Sequence, residues 1–498
     1  MTMRRSVARA VLVAFALAMA ASARAWGIPD SPAKLKFPPL SFEPPTAETA
    51  RVELPGGVPC FVVQDSTVPA VTVQLLLRFG GFDDPPGKEG LAAAAFQLLR
   101  TGGTASMTPE KLADELDSLA IDISARAEDQ TSSVTMGCLT EDLARAVGIL
   151  TEIVRSPRLD AQRLELIRAQ TLQRIAHRFD DPGRVAMLYA DQIAYIGHPK
   201  ARMTTDASVK SISVDDIRAF LAGRLQPSAM IVAVGGDLSR ADAAAALKPL
   251  LDGWESKPFT PTEVPAGVSG LAPGVYFIDM PAQQAQVTAF HPSLSSTDPK
   301  YDPDSYALRL ANYPLGGDFT SRLVARIRVK EGLAYSVGSY AYSNIGYPGL
   351  ETVSASVDAS KAVHAAAVML EEISAYRDGG ASEAEVAQAK QALFGSWIEF
   401  FDTPFKVASD YASLLASDRP LDFYSTWYAK TEAISLDAVR SAAKEYIRPG
   451  DLRWLIVGPK AAIMGAQPGG ESLQSLGKVT ELTLGDPRAA VDLSTVAR

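Results

Sequence analysis

The chain has 498 residues, 47% of them hydrophobic, and a formal net charge of −9 from 48 basic and 57 acidic side chains. That composition supplies apolar material for large cores. The acidic balance argues against nucleic acid and anionic lipid as partners, since both are polyanions that select basic surfaces.

The N-terminus reads as an export signal. Arg4, Arg5 and Arg9 form a positive region, residues 10–21 are an apolar run too short to span a bilayer, and Ala23-Arg24-Ala25 fits the small-x-small cleavage rule. Residues 1–25 are therefore expected to be removed, with Trp26 the mature N-terminus and the periplasm the destination. Losing the four arginines of this segment takes the net charge from −9 to −13. No later stretch is long and apolar enough to cross a membrane, so stable membrane insertion is not expected. An oxidising compartment permits a disulfide between Cys60 and Cys138, the two cysteines, but both sit in strand-like stretches and separately buried thiols fit as well. The sequence leaves that choice open.

Residues 26–48 are a proline-rich extension. Strands are predicted at 51–64 and 70–80, the second alternating through Val71, Val73, Leu75 and Leu77. An alanine-rich helix over 88–101 and a helix capped by Thr108-Pro109-Glu110 follow. Strands at 119–127 and 130–138, helices over 142–155 and 160–178, further helices to 223 and a strand at 229–235 complete a first half. Asp180-Asp181-Pro182-Gly183-Arg184-Val185-Ala186 then recurs as Asp402-Thr403-Pro404-Phe405-Lys406-Val407-Ala408, an offset of 222. The same offset carries Ile212-Ser213-Val214-Asp215 onto Ile434-Ser435-Leu436-Asp437, Pro227 onto Pro449 and Gly236 onto Gly458. Length alone suggests three domains; a constant offset over more than fifty residues argues for two homologous ones. They are placed at 49–253 and 274–460, with a proline-containing linker at 254–273 and a C-terminal tail at 461–498. Mixed strands and helices without strict βαβ alternation indicate an α+β fold, each domain a mainly antiparallel sheet with helices on one face.

The most distinctive stretch is 315–342, LGGDFTSRLVARIRVKEGLAYSVGSYAY. Asp318 or Thr320 can cap a helix with Leu323, Val324 and Ile327 on its apolar side and Arg322, Arg326, Arg328 and Lys330 on the rest, and Gly332 ends it. A strand follows over 334–342, with Tyr335 and Val337 on one face. A guanidinium, Arg328, thus stands seven positions before a phenol, Tyr335.

This stretch resembles the C-terminal signature of the pitrilysin/insulinase-type metallopeptidases, LGG…SRL…R…GLAY, with the family's Arg and Tyr at Arg328 and Tyr335. The resemblance covers about 45–460. It implies two domains paired as a clam around a peptide substrate, with that Arg and Tyr facing a zinc site. Members bind zinc through H-x-x-E-H on a helix, two His ligating and the Glu acting as base. The surroundings of that helix are present as Phe79-Gly80-Gly81, Asp83-Asp84, Gly90-Leu91-Ala92 and Gly103-Thr104. The ligand positions themselves read Ala93, Phe96 and Gln97, and the carboxylate position on the later helix falls at Gln173. The four histidines stand at 177, 198, 291 and 364, with no pair at i, i+3 or i, i+4. His198, in Gly197-His198-Pro199, reads as a turn residue and His177 as a helix-end partner of Asp180 and Asp181. No metal is expected in this chain. No nucleophile elbow, P-loop or dinucleotide fingerprint occurs in a suitable setting. Tyr340, Tyr342 and Tyr347 offer an aromatic surface.

In some bacterial and mitochondrial members of the family, one chain keeps the zinc motif and a partner that lacks it supplies the Arg and Tyr. The present sequence has the second pattern. The reading is a non-catalytic subunit of a periplasmic heterodimeric zinc peptidase, inactive alone, with a zinc-bearing family subunit as partner and extended peptides as substrates. The alternative is a proteolytically inactive structural or peptide-binding protein of the same fold.

Overall fold

The computed structural model describes residues 45–296 and 301–493. The expected signal segment and most of the proline-rich extension lie outside the described residues.

Two six-stranded mixed sheets with helices form the α+β architecture that the sequence indicates. The first contains β1 (Arg51–Leu54), β2 (Val58–Gln64), β3 (Ala70–Leu77), β4 (Asp122–Ala127), β5 (Ser132–Leu139) and β6 (Met230–Gly236), in the order β1-β2-β6-β3-β5-β4. The second contains β7 (Gly274–Asp279), β8 (Gln284–Pro292), β9 (Ala334–Ala341), β10 (Leu350–Asp358), β11 (Arg453–Gly458) and β12 (Val479–Leu482), in the order β12-β7-β11-β8-β10-β9. Pairing is antiparallel except for β2–β6, β7–β11 and β7–β12. Val71, Val73, Leu75 and Leu77 of β3 are all buried. They join a core with the helices Leu91–Thr101, Leu143–Arg155 and Arg240–Leu251, as alternation on a half-covered sheet requires. Within the stretch read from sequence as a C-terminal tail, Val479–Leu482 forms β12, which pairs with β7 and buries Leu482.

The repeat is visible element by element. The helices Ala161–Ala176, Pro182–Ala194 and Val214–Arg224 correspond to Glu383–Ile398, Pro404–Ala416 and Leu436–Tyr446, each displaced by 222 at both ends. Equivalent residues start them. The side chains of Asp181 and Thr403 accept the N–H three residues on, from Arg184 and Lys406, with proline at the first helical position.

Two of these helices are exchanged between the halves. Val185, Ala186, Tyr189 and Ile193 of Pro182–Ala194 pack on Tyr276, Ile278, Phe290, Leu455 and Val457 of the second sheet. Its counterpart, Pro404–Ala416, lies on the first sheet, where Tyr411 meets Phe61 with ring centroids 5.7 Å apart and Ser409 donates to Gln74 at 2.9 Å. Gly235 of β6 permits this approach: a Cβ there would lie 2.2 Å from the backbone nitrogen of Phe405. The reciprocal helices bury the second face of each sheet, so neither half covers its own sheet completely.

Cys60 and Cys138 are free and buried. They stand on β2 and β5, which β6 and β3 separate, about 14 Å at ordinary strand spacing and far beyond disulfide reach.

Candidate functional site

Arg328 sits on a segment whose apolar residues Leu323, Val324 and Ile327 are buried. Residues Val324–Lys330 wind with wide π-type turns, in which the Glu331 N–H donates to the Arg326 carbonyl at 3.0 Å. Gly332, at φ +62°, ends the segment in the left-handed conformation. The cations of this segment have different environments. Arg322 grips Glu385 in a two-pronged contact at 2.7 and 2.9 Å, and Arg326 pairs with Glu331 at 3.0 Å. Arg328 has no carboxylate partner among the described residues. Its guanidinium lies between two rings instead, 4.6 Å from the centroid of Phe319 and 4.8 Å from that of Tyr335.

A β-bulge sets the direction of Tyr335. Ser336 pairs with Ser356 and Ala334 with Val357, which leaves Tyr335 as the extra residue of β9. Simple alternation places Tyr335 on the face of Val337. The bulge instead puts Ala334 into the core and leaves Tyr335 82% exposed. Phe319, 74% exposed, completes the stack. Sequence reasoning passed over Phe319, although an aromatic residue in the polar turn Asp318–Ser321 was a visible signal.

Of the positions read from sequence as degenerate zinc ligands, Gln173 is on Ala161–Ala176, and Ala93, Phe96 and Gln97 lie on the helix Leu91–Thr101. Its first turn is held by the buried Asp84, whose carboxylate accepts from the Gly90 and Ala92 N–H groups at 2.7 and 2.8 Å. Burial pushes the Asp84 pKa up to about 6 against those hydrogen bonds. Phe96 points into the core, 5.8 Å from the Phe79 ring. Ala93 and Gln97, four apart, line a cavity of about 320 Å³ with Thr171 and Arg174 of Ala161–Ala176. Gln97 reaches Gln170 at 3.5 Å. Gln173 is exposed and turned the other way, to His177 at 2.8 Å. A methyl, a phenyl ring and carboxamides do not make a zinc site. Among the described residues no group of three or more His, Cys, Asp or Glu is placed to hold a metal.

His198 and Tyr347 have packing roles, whereas His177, Tyr340 and Tyr342 lie at the surface. His198 is buried, accepts from the Lys200 N–H at Nδ1 (3.1 Å) and donates from Nε2 to the Pro265 carbonyl (3.1 Å). His177 pairs with Asp180 at 2.7 Å, while Asp181 caps the next helix. Tyr340 and Tyr342 are exposed and stacked, centroids 5.7 Å apart. Tyr347 does not join them; it is buried against His198 and Tyr195.

Fold and site together define a peptidase-type two-domain chain with no metal-holding group among the described residues. The chain belongs to the insulinase-type peptidase family M16. Residues 60–208 match the model described as Insulinase (Peptidase family M16), and residues 211–393 the one described as Peptidase M16 inactive domain. A Helicobacter pylori protein named non-peptidase homolog YmxG is 26% identical over 81% of this chain and 92% of its own length. An Arabidopsis thaliana protein named probable mitochondrial-processing peptidase subunit beta is 22% identical over 83% of this chain and 78% of its own length. A crystal structure of a peptidase M16 inactive domain from Pseudomonas fluorescens superimposes with a TM-score of 0.75 at 21% identity, covering 82% of this chain and 97% of that one. No helix among the described residues is long and apolar enough to cross a membrane.

Proposed function

We propose that this chain is the zinc-less subunit of a heterodimeric M16 peptidase of the periplasm, supplying Arg328 and Tyr335 to a zinc site carried by a partner. One observation carries the reading. Arg328, half-buried, and Tyr335, exposed, stand side by side, while Arg322 and Arg326 of the same segment are held in ion pairs. A merely structural arginine on this segment would be expected to find a carboxylate as Arg322 and Arg326 do. The name of the Helicobacter relative supports a non-catalytic role, and that of the Arabidopsis relative supports work as a subunit.

Within the pair, the partner's zinc would polarise the scissile carbonyl, and the Tyr335 hydroxyl would donate to the oxyanion that develops. The Arg328 guanidinium offers planar donors to a neighbouring carbonyl of an extended peptide and so fixes its register. The peptide adds along a sheet edge, where main-chain hydrogen bonds hold it regardless of sequence; β4 and β9 are outer strands.

The test is reconstitution with a zinc-bearing M16 subunit from the same cell. This chain alone should leave unstructured peptides intact, and the mixture should cleave them. Tyr335→Phe should lower kcat about 100-fold with association unchanged, the loss typical of one oxyanion donor, and Arg328→Ala should mainly raise KM. Full activity of the mixture with both substitutions present would make the pair structural and favour a proteolytically inactive scaffold.

A further inference from the structure

The cavity beside the degenerate ligand positions has a polarity opposite to that of a metal site. Its floor is aliphatic, formed by Ala93, Ala94, Leu164, Ile167, Val209 and Ile212. Arg168, Arg174 and Arg178 also line it, and no lining residue is acidic, although the chain as a whole carries −9. A divalent cation is repelled by such a set; an anion is attracted.

The three guanidinium groups are not equivalent. Arg168 is paired with Glu165 and donates to the Ile212 carbonyl at 2.7 Å. Arg178 donates to the Thr204 and Ala489 carbonyls at 2.7 and 2.6 Å and has Asp206 and Asp486 near it, while its Nε is buried with no partner among the described residues. Arg174 donates only to the Thr171 hydroxyl, at 2.9 Å, and has no carboxylate partner among the described residues. The unmatched cation therefore stands on the turn that faces Ala93 and Gln97. A volume of about 320 Å³ is at the small end of the roughly 300–1,000 Å³ range of small-molecule sites.

We infer that this cavity binds an aliphatic carboxylate, its hydrocarbon part on the alanine–leucine–isoleucine floor and its carboxylate on Arg174. Guanidinium groups bind carboxylates in a planar, two-pronged fashion, and an apolar tail removes the floor from water. A free fatty acid and the C-terminus of a peptide ending in an apolar residue share this chemistry. The inference concerns this chain alone and does not depend on the proposed heterodimer.

Calorimetric titration of the full mature chain tests it, with decanoate, decanol, acetyl-Ala-Ala-Leu and the amide of that peptide as probes. One of the two carboxylates should bind saturably at one per chain. Its uncharged counterpart should bind about tenfold more weakly or worse, the loss expected for one charge-assisted hydrogen bond. Arg174→Gln should produce a similar loss. Ala93→Leu should abolish binding by filling the cavity, and both variants should unfold like the parent because positions 93 and 174 are exposed. Saturation by decanoate identifies a free fatty acid as the source, and saturation by the peptide acid alone a chain terminus. The inference is overturned if neither carboxylate saturates, if charge makes no difference, or if both substitutions leave the affinity unchanged.

Discussion

Replacing Glu351 by glutamine should remove a loss of stability that the parent suffers as pH rises from 5 to 7. Glu351 lies on the core face of β10, opposite His291 of β8 and Ala341 of β9, and is 3% exposed, with no hydrogen-bond partner for either carboxylate oxygen among the described residues. Burial pushes its pKa up from the ordinary 4.5 to about 8, opposed only by Arg448. The Arg448 guanidinium is occupied elsewhere, by Asp451 at 2.9 Å and the Pro292 carbonyl at 2.5 Å. The folded state thus keeps a proton that the unfolded chain releases above pH 4.5. This contribution to stability is fully present below that pH and is lost as pH rises towards about 8. At about 1.36 kcal/mol per unit, the loss between pH 5 and pH 7 is about 2.7 kcal/mol. Burial pushes the pKa of His291 down to about 4, and its Nε2 accepts from the Arg448 N–H; its own pH dependence, opposite in sign because the unfolded histidine protonates below about pH 6.5, is carried by both proteins and cancels in the comparison. Urea unfolding of the parent and Glu351→Gln at pH 5 and pH 7 measures the difference, and the fixed cost of burying an amide cancels between the two pH values. The parent should lose about 2.7 kcal/mol more than the variant. Equal pH dependence in the two proteins would mean that Glu351 is ionised in the fold, and the reasoning would fail.

Gly235→Ala should destabilise the protein by at least the roughly 1–3 kcal/mol of an overpacked core, because its Cβ meets the Phe405 backbone. Gly148→Ala, in the helix Leu143–Arg155 with nothing within 4 Å, should instead stabilise it by about 0.5–1 kcal/mol; equal effects at the two sites would refute the close helix crossing. Both cysteines should resist a thiol reagent in the folded protein and react after denaturation without reductant, since burial raises Cys60 to about 12 and Cys138 to about 11. A species whose two thiols appear only after reduction is the contrary result. After dialysis against a mild chelator, elemental analysis of the mature chain should find far less than one zinc per molecule, and a stoichiometric zinc would require a site other than Ala93, Phe96, Gln97 and Gln173.

Much of the molecule is determined locally and was legible in the sequence. The alternation of β3, the Asp181-Pro182 and Thr403-Pro404 helix starts and the offset of 222 depend on backbone periodicity and capping, which act within a few residues. The same locality made the missing ligands plain, because i, i+4 spacing puts positions 93 and 97 on one face of a helix whatever surrounds it. Three features depended on contacts between distant segments. The bulge that exposes Tyr335 exists only in the pairing of β9 with β10, so alternation along β9 alone gave the wrong face. The residues facing Gln97 across the cavity are Gln170, Thr171 and Arg174 rather than Gln173, because the rotation of Ala161–Ala176 is set by its packing on the neighbouring helix. The exchange of Pro182–Ala194 and Pro404–Ala416 between sheets leaves no mark in either helix's own pattern. An amphipathic helix encodes which of its faces is buried but not which sheet buries it, and here that choice rests on steric fit, such as the space that Gly235 leaves for Phe405.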